Sequence, residues 1–227
     1  MTLVKCIEEL ARENIGDENR WYDWEINEAK VPAGVVLKDG SPYERNVQLK
    51  RQLNQKWKHG NSEERRGIIK YYISDWGGIR TNSEQKIALY SSGDPEALIS
   101  LGKAGVASWS KALCIYSPED YAIFDARVSA SLNALQIINN TKQKTFFPCL
   151  PSRNKTIVKA NSLFQRKFKK ENWDLAKDRE YYQTYVQLLK IAKSDLLDKT
   201  IEIYTLEMLL FAFAEKLIIK AFPNINI

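Results

Sequence analysis

Histidine is almost missing from this chain: His59 is the only one. Metal sites built on several imidazoles are therefore excluded, and a Ser-His-Asp arrangement would have to use this residue. His59 follows Lys56, Trp57 and Lys58 and precedes Gly60, which is the composition of a helix C-terminus, where a cationic or polar side chain is ordinary. Acid–base chemistry then rests on carboxylates, lysines or tyrosines. Cysteine is scarce as well. Cys6, Cys114 and Cys149 are odd in number, far apart and without a CxxC pair, which supports neither structural zinc nor a disulfide framework and places the chain in a reducing cytoplasm. No metal and no cofactor is expected. The longest apolar run, Met208 to Ile219, is interrupted by Glu215 and Lys216. It falls short of the ~20 residues that cross a bilayer and reads as a buried helix, so no membrane partner is expected. The opening residues MTLVKCIEEL carry charges where an export signal needs an apolar core. Strand patterns are nearly absent apart from short pieces around Val35 and Ile201, and no repeat is visible.

What is present is helical periodicity and positive charge. With 227 residues, the chain is long enough for one large domain or two small lobes. Apolar stripes run through Leu3, Ile7, Leu10 and Ala11, through Val47, Leu49, Leu53 and Trp57, and through Ile68, Ile69, Tyr72 and Ile73. Residues 43–58 form a strongly basic helix carrying Arg45, Lys50, Arg51, Lys56 and Lys58. The next helix, 62–76, takes Ser62 as its N-cap, without a full capping box, and stops at Trp76-Gly77-Gly78, where glycine accommodates the left-handed conformation that ends a helix. Asn82 and Asp94 read as N-caps, with Pro95 in a first turn. Trp21, Tyr22 and Trp24 are either core or a base-stacking surface. Residues 139–154 are a polar, proline-containing connection, and helical spacing resumes over 155–170, 178–194 and 201–222. The fold class is all-α, with roughly nine to eleven helices.

The net charge of +6 leans towards a polyanionic partner. Nine cations, Lys142, Lys144, Arg153, Lys155, Lys159, Arg166, Lys167, Lys169 and Lys170, fall in a stretch without one acidic residue. A charge run is usually a solvated face, but one so one-sided repels itself unless a polyanion is near, which favours phosphate contact. Phe146, Phe147, Phe164 and Phe168 are interleaved with it.

The chemistry concentrates in residues 101–135. Gly102 to Ala107 form a hairpin of small residues leading into a helix through Trp109, Leu113 and Ile115; Ser117-Pro118 turns, and the apolar stretch Tyr121 to Phe124 delivers Asp125 to the head of another helix. An aspartate before Ala126-Arg127-Val128 is a good N-cap, and capping would also fix a catalytic carboxylate. The order of hairpin, Ser-Lys-Ala-Leu, Pro118-Glu119-Asp120-Tyr121 and Ile123-Phe124-Asp125-Ala126-Arg127-Val128, with Trp76-Gly77-Gly78-Ile79 upstream, resembles the helix-hairpin-helix DNA glycosylases of the 8-oxoguanine glycosylase-like branch. The clear part covers residues 76–135.

The resemblance implies a single glycosylase-like domain over 1–227 made of two helical lobes with a cleft between them, with the hairpin and catalytic segment at about 94–138. It also implies a monomer acting on double-stranded DNA. Asp125 matches the catalytic aspartate, beside which positive charge develops on the deoxyribose as the base leaves. Gly102, Lys103, Gly105 and Ala107 match the DNA-gripping hairpin, and Ser108, Lys111, Arg127, Arg153 and Lys155 are further candidates for DNA contact; Arg127 reads equally as the partner of a nearby acid. Trp76, Trp109, Phe146 and Phe147 are candidates for the walls that receive a flipped base, with Trp109 also spaced as a core residue. One feature departs from the pattern. Bifunctional members carry a Schiff-base lysine about eighteen residues before the aspartate, where this chain has Val106 and Ala107; Lys111 comes too late and Lys103 too early. The expectation is a monofunctional glycosylase using Asp125 and water, acting on 8-oxoguanine or, as related chains beside antiviral systems suggest, on a hypermodified phage base such as glucosylated hydroxymethylcytosine. A non-catalytic DNA-binding or regulatory protein on the same scaffold, or an all-α module meeting an acidic protein, are the competing readings.

Overall fold

The periodic apolar positions fold as helices. In the computed structural model, which describes residues 1–196, 198 and 200–225, helix makes up 62% of the chain in eleven α-helices, and strand only 2%. The first seven are α1 (Leu3–Asn14), α2 (Glu18–Trp21), α3 (Pro42–His59), α4 (Ser62–Lys70), α5 (Glu84–Tyr90), α6 (Pro95–Ile99) and α7 (Val106–Tyr116). The others are α8 (Ala126–Ile138), α9 (Lys155–Glu171), α10 (Tyr181–Asp195) and α11 (Ile203–Ala221). Two compact units result: Glu18–Ile123, and Met1–Asp17 combined with Phe124–Ile227. The boundary divides the 94–138 segment, so the glycine hairpin belongs to the middle unit and Asp125 to the other.

In the middle unit, α3 packs against α4 and α7. Ser41 caps α3 in a full capping box with Glu44, and Pro42 fills the first helical position. Polar side chains of α3 then do what a neighbouring strand would do. Gln52 accepts from the Val36 N–H at 2.9 Å and donates to its carbonyl at 2.6 Å, while Gln48 accepts from the Lys38 N–H at 2.8 Å. These amides satisfy the backbone around Val35, which is why the strand expected there is an irregular segment. Asn54 similarly donates to the Ile115 and Tyr116 carbonyls at the end of α7. Two N-caps shift by one residue from the sequence reading. Asn61, not Ser62, caps α4, because it accepts from Glu63 and Glu64 while Glu64 returns a bond to the Asn61 N–H. Ser83, not Asn82, caps α5, which leaves Asn82 to donate to Ser108 Oγ at 2.9 Å. The helix expected over 62–76 is α-helical only to Lys70; Tyr71–Trp76 continue as a π turn, and Gly78, not Gly77, takes the left-handed conformation.

In the other unit, α8 and α11 form the central pair. Small residues on α8 allow the close approach, and Ser131 donates to the Leu210 carbonyl of α11. A polar row at helical spacing on α8 grips the connection that follows it. Asn133 exchanges two bonds with Phe147, each 3.0 Å, Gln136 exchanges two with Thr145, and Ser129 donates to the Pro148 carbonyl. This grip aligns the only strands among the described residues, β1 (Thr145–Phe146) and β2 (Asp174–Leu175), a two-residue parallel pair. No strand forms at Ile201, which is buried just ahead of α11. Helix α1 packs against α10 and α8, and α9 against α8 and α11. Among the described residues no helix is long and apolar enough to cross a membrane.

Candidate functional site

The hairpin is the loop Leu101–Gly105 between α6 and α7. Gly102 and Gly105 sit at φ 59° and 71°, the left-handed region where a side chain would be strained. At Gly105 a Cβ would also lie 2.4 Å from Tyr90 Oη. The loop is braced from within its unit. Trp109, wholly buried, donates from Nε1 to the Ala104 carbonyl at 3.2 Å. Tyr116 donates to the Tyr90 carbonyl and accepts from the Gly93 N–H, and its burial pushes the phenol up to about 12. What remains at the surface is Lys103, Ala104 and Gly105, with Leu101 and Ala107 half-exposed. The N–H groups of Gly105 and Ala107 meet no backbone acceptor among the described residues. Gly102, Ser108 and Lys111 are buried. Ser108 accepts from Asn82, and the Lys111 ammonium donates to the Ala107 carbonyl of its own helix at 2.8 Å.

Lys111 reaches the residue that follows Trp76. The Lys111 stem crosses Gly77 so closely that a Cβ there would lie 2.6 Å from Lys111 Cε and 2.9 Å from the Ile73 carbonyl oxygen. Trp76 is half-exposed, stacks on Tyr72 at 4.2 Å between centroids, donates to Asn46 Oδ1, and has the Lys50 ammonium 5.4 Å from its ring centre. Lys50, counted from the sequence among the cations of a basic helix, is 1% exposed. The aromatic candidates for a base pocket are thus disposed unequally. Trp109, Phe146 and Phe147 are core residues, Phe146 stacking on Phe168 and Phe147 held by Asn133, and Trp76 alone reaches the surface.

Asp125 stands at the head of α8 in extended conformation. Phe124 behind it is fully buried against Phe147, Tyr181 and Tyr185. One oxygen does all the capping: Oδ1 accepts from the Arg127 N–H at 2.9 Å and the Val128 N–H at 3.0 Å. Oδ2 has no protein donor among the described residues, and the residue is half-buried. The nearest cation in sequence is directed elsewhere. Arg127 pairs with Glu215 of α11 at 2.9 Å and lies over the Phe211 ring, and Glu215 also accepts from the Asn154 amide, which caps α9, and from Thr156 Oγ1 at 3.5 Å. Asp125 therefore makes no side-chain ion pair among the described residues while its position is fixed by two backbone N–H groups. No family model, curated protein or solved structure matches the chain.

Glu215, Asn154 and Thr156 were not legible as a group, since 59 to 88 residues separate the partners. One signal was present: an acid interrupting the otherwise apolar run of α11 needs a partner when the helix is buried. Of the basic stretch, Arg153 and Lys155 are exposed, whereas Lys144 and Lys167 turn to Glu171 at 3.2 and 2.6 Å. The hydrogen bond from Lys167, then those from Trp173 Nε1 and Lys144, hold the Glu171 carboxyl down at about 2. Its folded value lies below its usual 4.5, so the stabilisation is whole above about pH 4.5 and is lost as pH falls towards 2. Urea melts across that range should show stability declining less steeply in Glu171→Gln than in the native chain; equal slopes would mean that these pairs contribute nothing. Burial pushes the Cys6 thiol up to about 11 and the Cys149 thiol to about 12, so neither is a nucleophile at neutral pH.

Proposed function

We propose that this chain is a monofunctional DNA glycosylase, hydrolysing the N-glycosidic bond of a damaged or modified base with Asp125 as its carboxylate. The observation that carries this reading is the division of labour within Asp125, whose Oδ1 is fixed by two backbone N–H groups while Oδ2 meets no protein donor among the described residues. A carboxylate so held stabilises the positive charge that develops at C1′ as the bond to the base breaks, and it can accept the proton of the water that adds there. The departing base leaves with the bonding electrons and is protonated; the sugar gains the hydroxyl. The hairpin supports the DNA side of the reading. Exposed Lys103, the N–H groups of Gly105 and Ala107 and the positive end of α7 suit a backbone phosphate.

Water, not lysine, is the nucleophile in this proposal. The Lys111 amine is buried and bonded to the Ala107 carbonyl, and no lysine occupies the position of the bifunctional members. The substrates in view are 8-oxoguanine and hypermodified phage bases such as glucosylated hydroxymethylcytosine. The test is mass spectrometry of bases released from oxidised, alkylated and phage-modified DNA. Release of one base with an abasic site left behind is expected, without a borohydride-trapped protein–DNA adduct. A trapped adduct overturns the water mechanism. Binding without any released base moves the chain to the alternative, a DNA-binding or regulatory protein on the same scaffold.

A further inference from the structure

Helix α9 is amphipathic in an unusual way. Its apolar side, Ile157, Ala160 and Phe164, is buried, with Phe164 against Phe222 and Phe168 against Phe146. At about 100° per residue, Lys155, Lys159, Arg166 and Lys170 fall within about 60° of one another on the opposite side. All four are exposed. Between the first and last the helix rises about 22 Å, and successive cations stand about 6, 10 and 6 Å apart along the axis. No acidic residue precedes Glu171 on this helix, and Glu171 is engaged by Lys144 and Lys167, which lie outside the row. Among the described residues no carboxylate pairs with Lys155, Arg166 or Lys170.

We propose that this outward row of cations on α9 is a docking surface for the phosphate backbone of duplex DNA, a contact additional to the hairpin. A straight row of like charges on a rigid helix is costly in self-repulsion unless a polyanion lies along it. Duplex DNA carries one phosphate charge per ~3.4 Å of axial rise on each strand, so a row that rises about 22 Å meets phosphates of both strands along its length. An anionic membrane fits less well. Amphipathic helices bind membranes by inserting their apolar face, and that of α9 is already covered by the protein core. Such contacts set affinity and orientation without reading sequence. The choice of DNA as partner rests on the glycosylase reading; the geometry of the row does not.

The experiment measures binding of the full chain to a labelled, unmodified duplex as a function of salt. Replacing Lys155, Lys159, Arg166 and Lys170 together by Gln is expected to reduce the slope of log Kobs against log salt by about 3 to 4, and Arg166→Gln or Lys170→Gln alone by about 1. A control removing the same charge from exposed Lys38, Lys58, Lys86 and Lys220 is expected to keep most of the native slope. If the α9 variant and the control lose equal amounts, the row is no specific surface and the proposal falls, while the glycosylase reading stands. If the native chain binds no duplex at low salt, both fall. If poly-glutamate displaces the duplex at equal charge concentration, the occupant is an acidic chain and the proposal is overturned.

Discussion

Asp125→Asn is expected to lower base release by about 10²- to 10⁴-fold while leaving the fold and DNA binding intact. The structure gives this substitution an unusually clean interpretation. Asparagine is as good an N-cap as aspartate, and its carbonyl oxygen can keep the bonds that Oδ1 makes to the Arg127 and Val128 N–H groups. What disappears is the second carboxylate oxygen, Oδ2, for which the described residues supply no donor. Asp125→Ala removes both functions and should cost about 1 kcal/mol of stability in addition, the usual value of a lost cap. The pair of variants therefore separates architecture from chemistry. Single-turnover base release and thermal melts, run on both, are the measurements. If the Asn variant released base at the native rate, Asp125 would be a cap and nothing more, and the catalytic assignment would fail.

Local signals in the sequence translated well into structure. The stripe Leu3, Ile7, Leu10 and Ala11 is the buried face of α1, Asp94 and Asp125 cap the helices they precede, and Pro95 opens α6. Each depends on neighbours within one or two turns, which is what periodicity and capping rules report. The failures share a different cause. Lys50 carries the same formula as exposed Lys58 on the same helix, and only the tertiary position of Trp76 makes its burial visible. Phe146 and Phe147 look like aromatics interleaved with charge, but Asn133 and Gln136, reaching back from the preceding helix, turn that segment inward. Arg127 was open between a phosphate and an acid. The acid is Glu215, and a contact made across the fold leaves no local trace. Where a side chain's role depends on a partner far along the chain, composition admits both answers.

Those inward-turned amides give the second large effect. Asn133→Leu keeps the size and helical position of the side chain but leaves the Phe147 N–H and carbonyl, both in a fully buried residue, without the two bonds that Asn133 supplies. Each stranded group costs about 1–3 kcal/mol, so the variant should lose roughly 2–6 kcal/mol. For a chain of this length that is a fall in Tm of roughly 4–24 °C. Gln52→Leu provides the comparison, because Gln52 makes the same two-bond grip on Val36, a residue 71% exposed. Water can replace both bonds there, and the loss should stay below about 1 kcal/mol. Denaturant melts of the two variants test whether burial, not the number of hydrogen bonds, sets the cost. Equal losses would contradict the desolvation account. A large loss confined to Asn133→Leu would establish that the polar row of α8 holds the 145–148 segment in place beneath the helix whose first residues are capped by Asp125.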